Sequence, residues 1–513
     1  MEETRLSNNI LVNIYVCFVM AFYPLIFHNG YYDIVTSKFY VYVIVTGLFI
    51  LGELVIFAAK KIFSQNCNEG EKRHNVHMSD IFMIIFLVVN VLSVIFSENS
   101  RYAITGASGR NVGLITVVMM CLSYFIISLK VKINDTFYYL LTLGSSIISG
   151  IAIFQFIGID ILGFYEGLTY SQRITYISSI GHVDIFTTYF SITIPILFLK
   201  YMWEEKKTKK YIYLIGLVLN ICGMMTGQCD SAYIILGMSL IVTLYFAKGK
   251  LDISKFLFPL VISMIWTRFL LLINCKMSEP RKLSIITDKI FSNIMCVIII
   301  LLFMASITVK IVNKKNTEKQ NEKNSSSDRR NIVSIIFLML TIFYLTVIMI
   351  FSTVLKDVKL SNYEDILRFS DSYGSYRGYI WKIVVKDYVG LDVKKKLIGV
   401  GTDSVMPHFE DKYGTDMYRV TGAYYDNAHN EYLQYLITNG FLGLFSYGAM
   451  VICLLVDKEN KENKEDKEDE SDNSMMARGA VFCYLVQAVI GINQVVTTPL
   501  LFILFSVIRH ERT

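Results

Sequence analysis

Long apolar runs alternate with short polar clusters along the whole chain, and each run is about as long as a helix crossing bilayer hydrocarbon at about 1.5 Å per residue. The runs predict spans near 10–27, 39–59, 81–96, 113–129, 137–159, 183–203, 211–225, 232–246, 256–273, 291–311, 332–355, 432–456, 477–495 and 500–508. That is about 12–14 spans, because the last run is short against the usual ~20 residues. Lipid offers no partner to backbone N–H and C=O groups, and no run has the dyad alternation of a barrel strand, so the spans are helices. The predicted fold is all-α, a polytopic transmembrane bundle.

The pattern divides the chain into a bundle over 1–355 (about 11 spans), a long loop over 356–431, and further spans over 432–513. Composition agrees: of 513 residues, 54% are hydrophobic and 18% charged, far too apolar for a soluble chain of this length. The basic clusters "AAKKIF", "EEKKTKK", "AKGKLDISK" and "NKKNTEKQNEKNSSSDRR" fall in alternate loops, which the positive-inside rule assigns to the cytoplasm. Both termini are then cytoplasmic and 356–431 is extracytoplasmic. The same bias accounts for the formal charge of +6, so no nucleic-acid partner is expected. The first apolar run lacks a small-residue cleavage site and reads as a retained span. "NTEKQNEKNSSSDRR" and "DKENKENKEDKEDESDNS" (the latter within a linker at 457–475) are polar low-complexity runs expected to stay solvated. Nine cysteines are scattered without a CxxC pair and read as small buried hydrophobes.

The 356–431 loop is long enough to be functional. Within it Tyr376, Tyr379, Ile380, Ile383 and Val384 recur at helical spacing, followed by the glycine turn "LIGVGTDSV". One or two short helices lying on the outer membrane surface are expected. At the end of the loop, "YYDNAHNEYLQYLITNGFLGLFSYG" passes from polar chain into a span without a break. Asp426 or Asn427 is a good N-cap, which places His429 in the first turn of the helix. Gly440 and Gly443, 11 and 14 residues on, share its face and allow another helix to approach closely. A helix N-terminus suits phosphate oxygens and disfavours an imidazolium, so a neutral His429 is expected. An ionisable side chain facing a bundle interior is a functional candidate. His182 and His408 fall on the same side, but no spacing joins them with His429 as a metal set, and no metal is expected.

"DNAHNEYLQYLITNGFLGL" resembles the signature of the O-antigen ligase and polymerase family of membrane glycosyltransferases, an H-N pair followed by a leucine and a spaced glycine pair at the head of a late span. "GASGRNVGL" resembles the family's early outer loop, and "SQRITYISSIGHVDIFTTYFSITIPI" its R-x-x-G-T-F-x-N-P-N stretch, with "GHVD" in place of the asparagine-proline pair. "SYRGYIWK" and "LIGVGTDSV" resemble its R-x-x-x-W and G-x-G-x-x-x-F elements, while "TGQCDSA" lacks the arginine of its serine-arginine step.

The resemblance implies a glycan donor on a polyprenyl pyrophosphate carrier among the membrane lipids, and transfer to a glycan or lipid-anchored acceptor without nucleotide, metal or other cofactor. On it, Arg173 and Arg377 match the family's arginines. A guanidinium can bind phosphate oxygens in pairs as charge collects on the leaving group. With His429 as general base or as a hydrogen-bond donor to pyrophosphate, they form the expected catalytic set. Arg110, Arg368, Asn430 and Asp426 are candidates for substrate binding, and Asp371 is a further carboxylate near them. A transporter or flippase of lipid-linked glycan is the alternative. It would place charged groups near the bilayer midplane, whereas the central parts of the spans are nearly free of charge, with Asp230 and Arg268 as the main exceptions.

Overall fold

The computed structural model describes residues 2–63, 76–248, 251–313, 322–360, 363–456 and 471–512. In chain order its helices are α1 (Glu2–Cys17), α2 (Ile34–Phe63), α3 (Met78–Ile95), α4 (Ser100–Thr105), α5 (Leu114–Lys130), α6 (Asp135–Phe156) and α7 (Tyr170–Thr175). There follow α8 (Val183–Trp203), α9 (Lys207–Thr226), α10 (Ser231–Phe246), α11 (Ile253–Asn274), α12 (Ile285–Ile290), α13 (Asn293–Asn313) and α14 (Glu322–Thr353). The loop holds α15 (Glu364–Leu367), α16 (Tyr373–Gly390), α17 (Val393–Ile398) and α18 (Val405–Thr421), and α19 (Glu431–Leu455), α20 (Asp472–Ala488) and α21 (Thr498–His510) close the chain. Between α7 and α8, β1 (Tyr176–Ile177) pairs antiparallel with β2 (Gly181–His182). The structure is 75% helical, an all-α polytopic bundle.

Among the described residues seven helices are long and apolar enough to cross a membrane: α2, α3, α6, α8, α11, α14 and α19. Five shorter apolar helices lie over Asn9–Leu25 and in α5, α10, α13 and α21. α8 is apolar on every side, and α9, α10 and α20 enclose it, as a helix without a polar face requires in a protein interior. Its Thr187 and Thr188 donate to the carbonyls four residues back, so their hydroxyls remain paired. The span of α14 is more apolar still but almost wholly exposed, a face suited to lipid. Basic side chains among the described residues gather at one end of the bundle, where Lys130 pairs with Glu53, Lys209 with Asp135 and Arg509 with Asp80. The long loop and the heads of α8 and α19 lie at the other end.

Several boundaries differ from the sequence reading. Residues 322–330, read as a solvated linker, form the first turns of α14, and residues 314–321 lie outside the described residues. The linker at 457–475 also falls mostly outside them, but Ser471 accepts from Ser474 N as the N-cap of α20, so 471–475 begin a helix. Among its described residues the loop contains four helices, not one or two. Ile380, Ile383, Val384, Val405, Phe409, Met417 and Ala428 give it a small core of its own. Tyr376, expected in a regular helix, sits with Gly374 and Ser375 at positive φ, a reversal that precedes the helical turn carrying Arg377.

The glycine turn "LIGVG" does not lie on the surface. It runs against α19, which breaks at Gly440 (φ 67°, ψ −172°). Val400 N and Gly401 N donate to Ile437 O and Thr438 O at 3.0 and 3.1 Å, and Ser93 on α3 donates to Thr438 O at 2.6 Å. The carbonyls freed by the break are thus satisfied by the loop, the condition for irregular backbone in a membrane protein. That conformation belongs almost wholly to glycine, and a Cβ on Gly440 would overlap the backbone of Leu397 and Ile398. Gly440→Ala is therefore expected to destabilise the protein by about 2 kcal/mol or more. This is measured as a lower thermal midpoint in detergent; a wild-type midpoint would contradict the account of the break.

Candidate active site

Two residues before α19 the chain is held from several sides. Trp381 on α16 donates to Ala428 O at 3.0 Å, and Ala428 N donates to Gln434 Oε1 at 3.0 Å. His429 N donates to Asn427 Oδ1 at 2.7 Å, which closes an Asx turn and places His429 at φ +46°. The N-cap is Asn430, whose Oδ1 accepts from Tyr432 N and Leu433 N, both at 3.0 Å. This corrects the sequence reading. Three residues suited to capping stand close together, Asn430 takes the role because Asn427 is used in the turn, and His429 precedes the helix instead of lying in its first turn. The break at Gly440 also interrupts the regular face that His429 was expected to share with the two glycines.

The ring of His429 lies edge-on to Tyr425, with centroids 5.4 Å apart. Its Nδ1 is 3.9 Å from Asp184 Oδ2, at the head of α8. Arg377 donates from Nη2 to the same oxygen at 3.2 Å and from Nη1 to Gly374 O at 2.9 Å. His182 Nδ1 accepts from Asp184 N and lies 3.9 Å from Asp184 Oδ2, while the Cys229 thiol donates to Asp184 Oδ1 at 3.2 Å. Asp184 is thus the point at which α8, α16, the turn before α19 and the turn before α10 meet. The side chains of Asp184, His429 and Arg377 are 11, 16 and 17% exposed, so the cluster borders solvent without being immersed in it.

A second guanidinium lies on the other flank. The loop between α4 and α5 wraps Asp403, whose Oδ2 accepts from Ala107 N at 2.9 Å and Val112 N at 3.3 Å and whose Oδ1 pairs with Arg110. Arg110 Nη1 is 3.9 Å from Asp426, three residues before His429. Gln494 donates to Gly109 O at 2.6 Å and Val495 N to Arg110 O at 3.0 Å, so the turn between α20 and α21 supports this loop from behind. Among the described residues, Arg110 Nε and Nη1, Arg377 Nε and His429 Nδ1 are buried and make no hydrogen bond. Four buried donor or acceptor atoms left unpaired around one turn suit a polar ligand, because such groups are costly to bury unpaired.

The charges nearly cancel, since Asp184, Asp403 and Asp426 oppose Arg110 and Arg377. Recognition of an anion at this site therefore rests on directed N–H groups and not on a broad positive field. Burial and the neighbouring Arg377 guanidinium pull the His429 pKa down to about 4, against the opposing effect of Asp184, and the ring is neutral at pH 7. Burial raises Asp403 above the usual carboxylate range even beside Arg110. Burial also acts to raise Asp426, but Arg110 and the Asn427 amide outweigh it and hold the carboxyl low.

Two expected residues have other partners. Arg173 donates from Nε to Leu168 O at 3.1 Å and from Nη1 to Glu279 at 3.3 Å, and it borders a separate cavity beyond β1 and β2. Arg368 donates to Phe351 O, Leu355 O and Val358 O and pairs with Glu364, so its whole fork closes the C-terminal end of α14. Asp371 pairs with Lys382. His408 and Lys412 share Asp387, a hydrogen-bonded cluster that ties α16 to α18. Asp184 was not singled out in the sequence. The available signal was an aspartate at the head of an apolar span, two residues after His182, in the position where "GHVD" departs from the family pattern.

Fold and site together define a multi-pass membrane protein with a buried histidine and arginine cluster at one end of its bundle. Residues 298–448 match the family model described as O-Antigen ligase, so over that stretch the chain is similar to the O-antigen ligase family. The matched stretch includes Arg377 and His429, whereas Arg110 and Asp184 lie outside it. No curated protein matches the chain.

Proposed function

We propose that the chain is a glycosyltransferase of cell-surface polysaccharide assembly, which transfers or polymerises a glycan carried on polyprenyl pyrophosphate. The acceptor hydroxyl oxygen forms a bond to the anomeric carbon, and the bond from that carbon to the pyrophosphate oxygen breaks. The hydroxyl proton passes to His429, and the departing pyrophosphate keeps the bonding electron pair. Arg377 and Arg110 stabilise the charge that develops on its oxygens. Basic clusters at the opposite end of the bundle support a topology in which both termini are cytoplasmic and 356–431 faces outward. The observation that carries the reading is the geometry of the His429 ring and Arg377, both converging on Asp184. The test is the product formed by the purified protein from a lipid-linked glycan. A ladder of lengths indicates a polymerase, a single addition to a different acceptor indicates a ligase, and no transfer to any acceptor would refute the proposal.

The low pKa of His429 gives a prediction in pH. The folded value near 4 lies below the ordinary 6.5, so the unfolded chain binds more protons between them. Stability conferred through this group is complete above pH 6.5 and falls as the pH drops toward 4. For catalysis, the acid limb of kcat/KM, which reports the free enzyme, is expected well below pH 6.5. Bound pyrophosphate adds negative charge that favours the imidazolium, so the limb of kcat is expected at higher pH. Coincident limbs at the ordinary histidine value would contradict the assignment.

A further inference from the structure

Beyond β1 and β2 lies a cavity of about 370 Å³, within the size range of small-molecule sites. The end of α6, the loop from Asp160 to Tyr170, α7 and the segment Met277–Arg281 enclose it. Its walls carry the carboxylates of Asp160, Glu166 and Glu279 and the guanidinium groups of Arg173 and Arg281. The carboxylates accept hydrogen bonds, which sugar hydroxyls can donate and ionised diphosphate oxygens cannot. The same set of acceptors and donors, with the rings of Tyr165 and Tyr170 beside it, matches a polyol that has hydroxyl edges and an apolar C–H face.

The walls are fixed before any ligand arrives. Asp160 accepts from Tyr165 N at 2.6 Å. Arg281 is buried, and donates to Ile174 O at 2.6 Å and to Arg173 O and Tyr165 Oη at 3.3 Å. Its Nε makes no hydrogen bond among the described residues, an unpartnered buried donor in a side chain that lines the cavity. The cavity is joined to the His429 site through one hairpin. Tyr165 donates to Tyr176 O at 3.3 Å, the Tyr176 ring meets His182 edge-on at 6.2 Å, and His182 adjoins Asp184.

We infer that this cavity is a carbohydrate subsite, which holds a sugar residue of the glycan while the His429 site holds its diphosphate. The inference rests on the function proposed above, and it assigns Arg173 to the sugar and not to the leaving group. Glu166 and Tyr170 are exposed, so Glu166→Gln and Tyr170→Ala carry little risk to folding. The probes are undecaprenyl pyrophosphate without sugar and the free oligosaccharide released from the lipid-linked donor, each titrated against the full chain in detergent. Both variants are expected to weaken oligosaccharide binding by about tenfold, the effect of one lost hydrogen bond or ring contact, with undecaprenyl pyrophosphate affinity unchanged. Wild-type oligosaccharide affinity in both variants would overturn the inference. So would a parallel loss of undecaprenyl pyrophosphate affinity, which would make the cavity the phosphate site. Binding is read without turnover, so these results stand apart from the transfer assay, whose failure alone would refute the function.

Discussion

Replacing His429 with alanine is expected to lower glycan transfer by about 10² to 10⁴-fold, the contribution of one general base, in protein that inserts and purifies normally. The fold should survive because the ring supports little of it. Its Nδ1 makes no hydrogen bond among the described residues, and the backbone is held independently by Asn427. The positive φ is the one feature that alanine tolerates poorly, and asparagine accepts it more readily. His429→Asn therefore separates the two effects, keeping the turn and removing the base. Both variants should lose turnover with purified lipid-linked donor. Full activity in a well-folded His429→Asn protein would remove the histidine from the chemistry.

The bundle was legible in the sequence because a bilayer allows few solutions. Spans follow from the length of the apolar runs, and their number, seven long helices with five shorter apolar ones among the described residues, falls near the expected 12–14. His429 and Arg377 were also visible, one at the head of a span and the other four residues before Trp381. The missing part was what joins them. Asp184 reads in isolation as an ordinary acidic residue in the first turn of a helix, and its role depends on three segments far apart in the chain meeting at one carboxylate.

Arg368 shows the opposite error. An arginine in an outer loop looks free to bind phosphate, but the unsatisfied carbonyls at the end of a long apolar helix need donors as well, and the guanidinium of Arg368 supplies them. The break in α19 was concealed for a similar reason. Glycines at 440 and 443 suit a close helix crossing, and only the docking of the 397–401 turn turns the first of them into a chain break.

Arg377→Lys is expected to reduce transfer by about 10²-fold or more, near the effect of removing one preorganised donor to developing charge. The guanidinium does two things at once: Nη1 holds Gly374 O and Nη2 holds Asp184, which fixes the plane of the fork while Nε stays unpaired. An ammonium keeps the charge but cannot occupy both positions and still present a third, directed donor. Arg377→Gln removes the charge as well, and its consequence extends to the histidine. Arg377 opposes protonation of His429 and Asp184 favours it, so without the arginine the ring becomes easier to protonate. The acid limb of kcat/KM should then move upward from the neighbourhood of pH 4 in Arg377→Gln and stay near its wild-type position in Arg377→Lys. Both substitutions lower turnover, but only the glutamine variant should move the limb. Identical limbs in the two variants would mean that Arg377 acts on the substrate without being electrostatically coupled to His429, and that the pair does not work as one site.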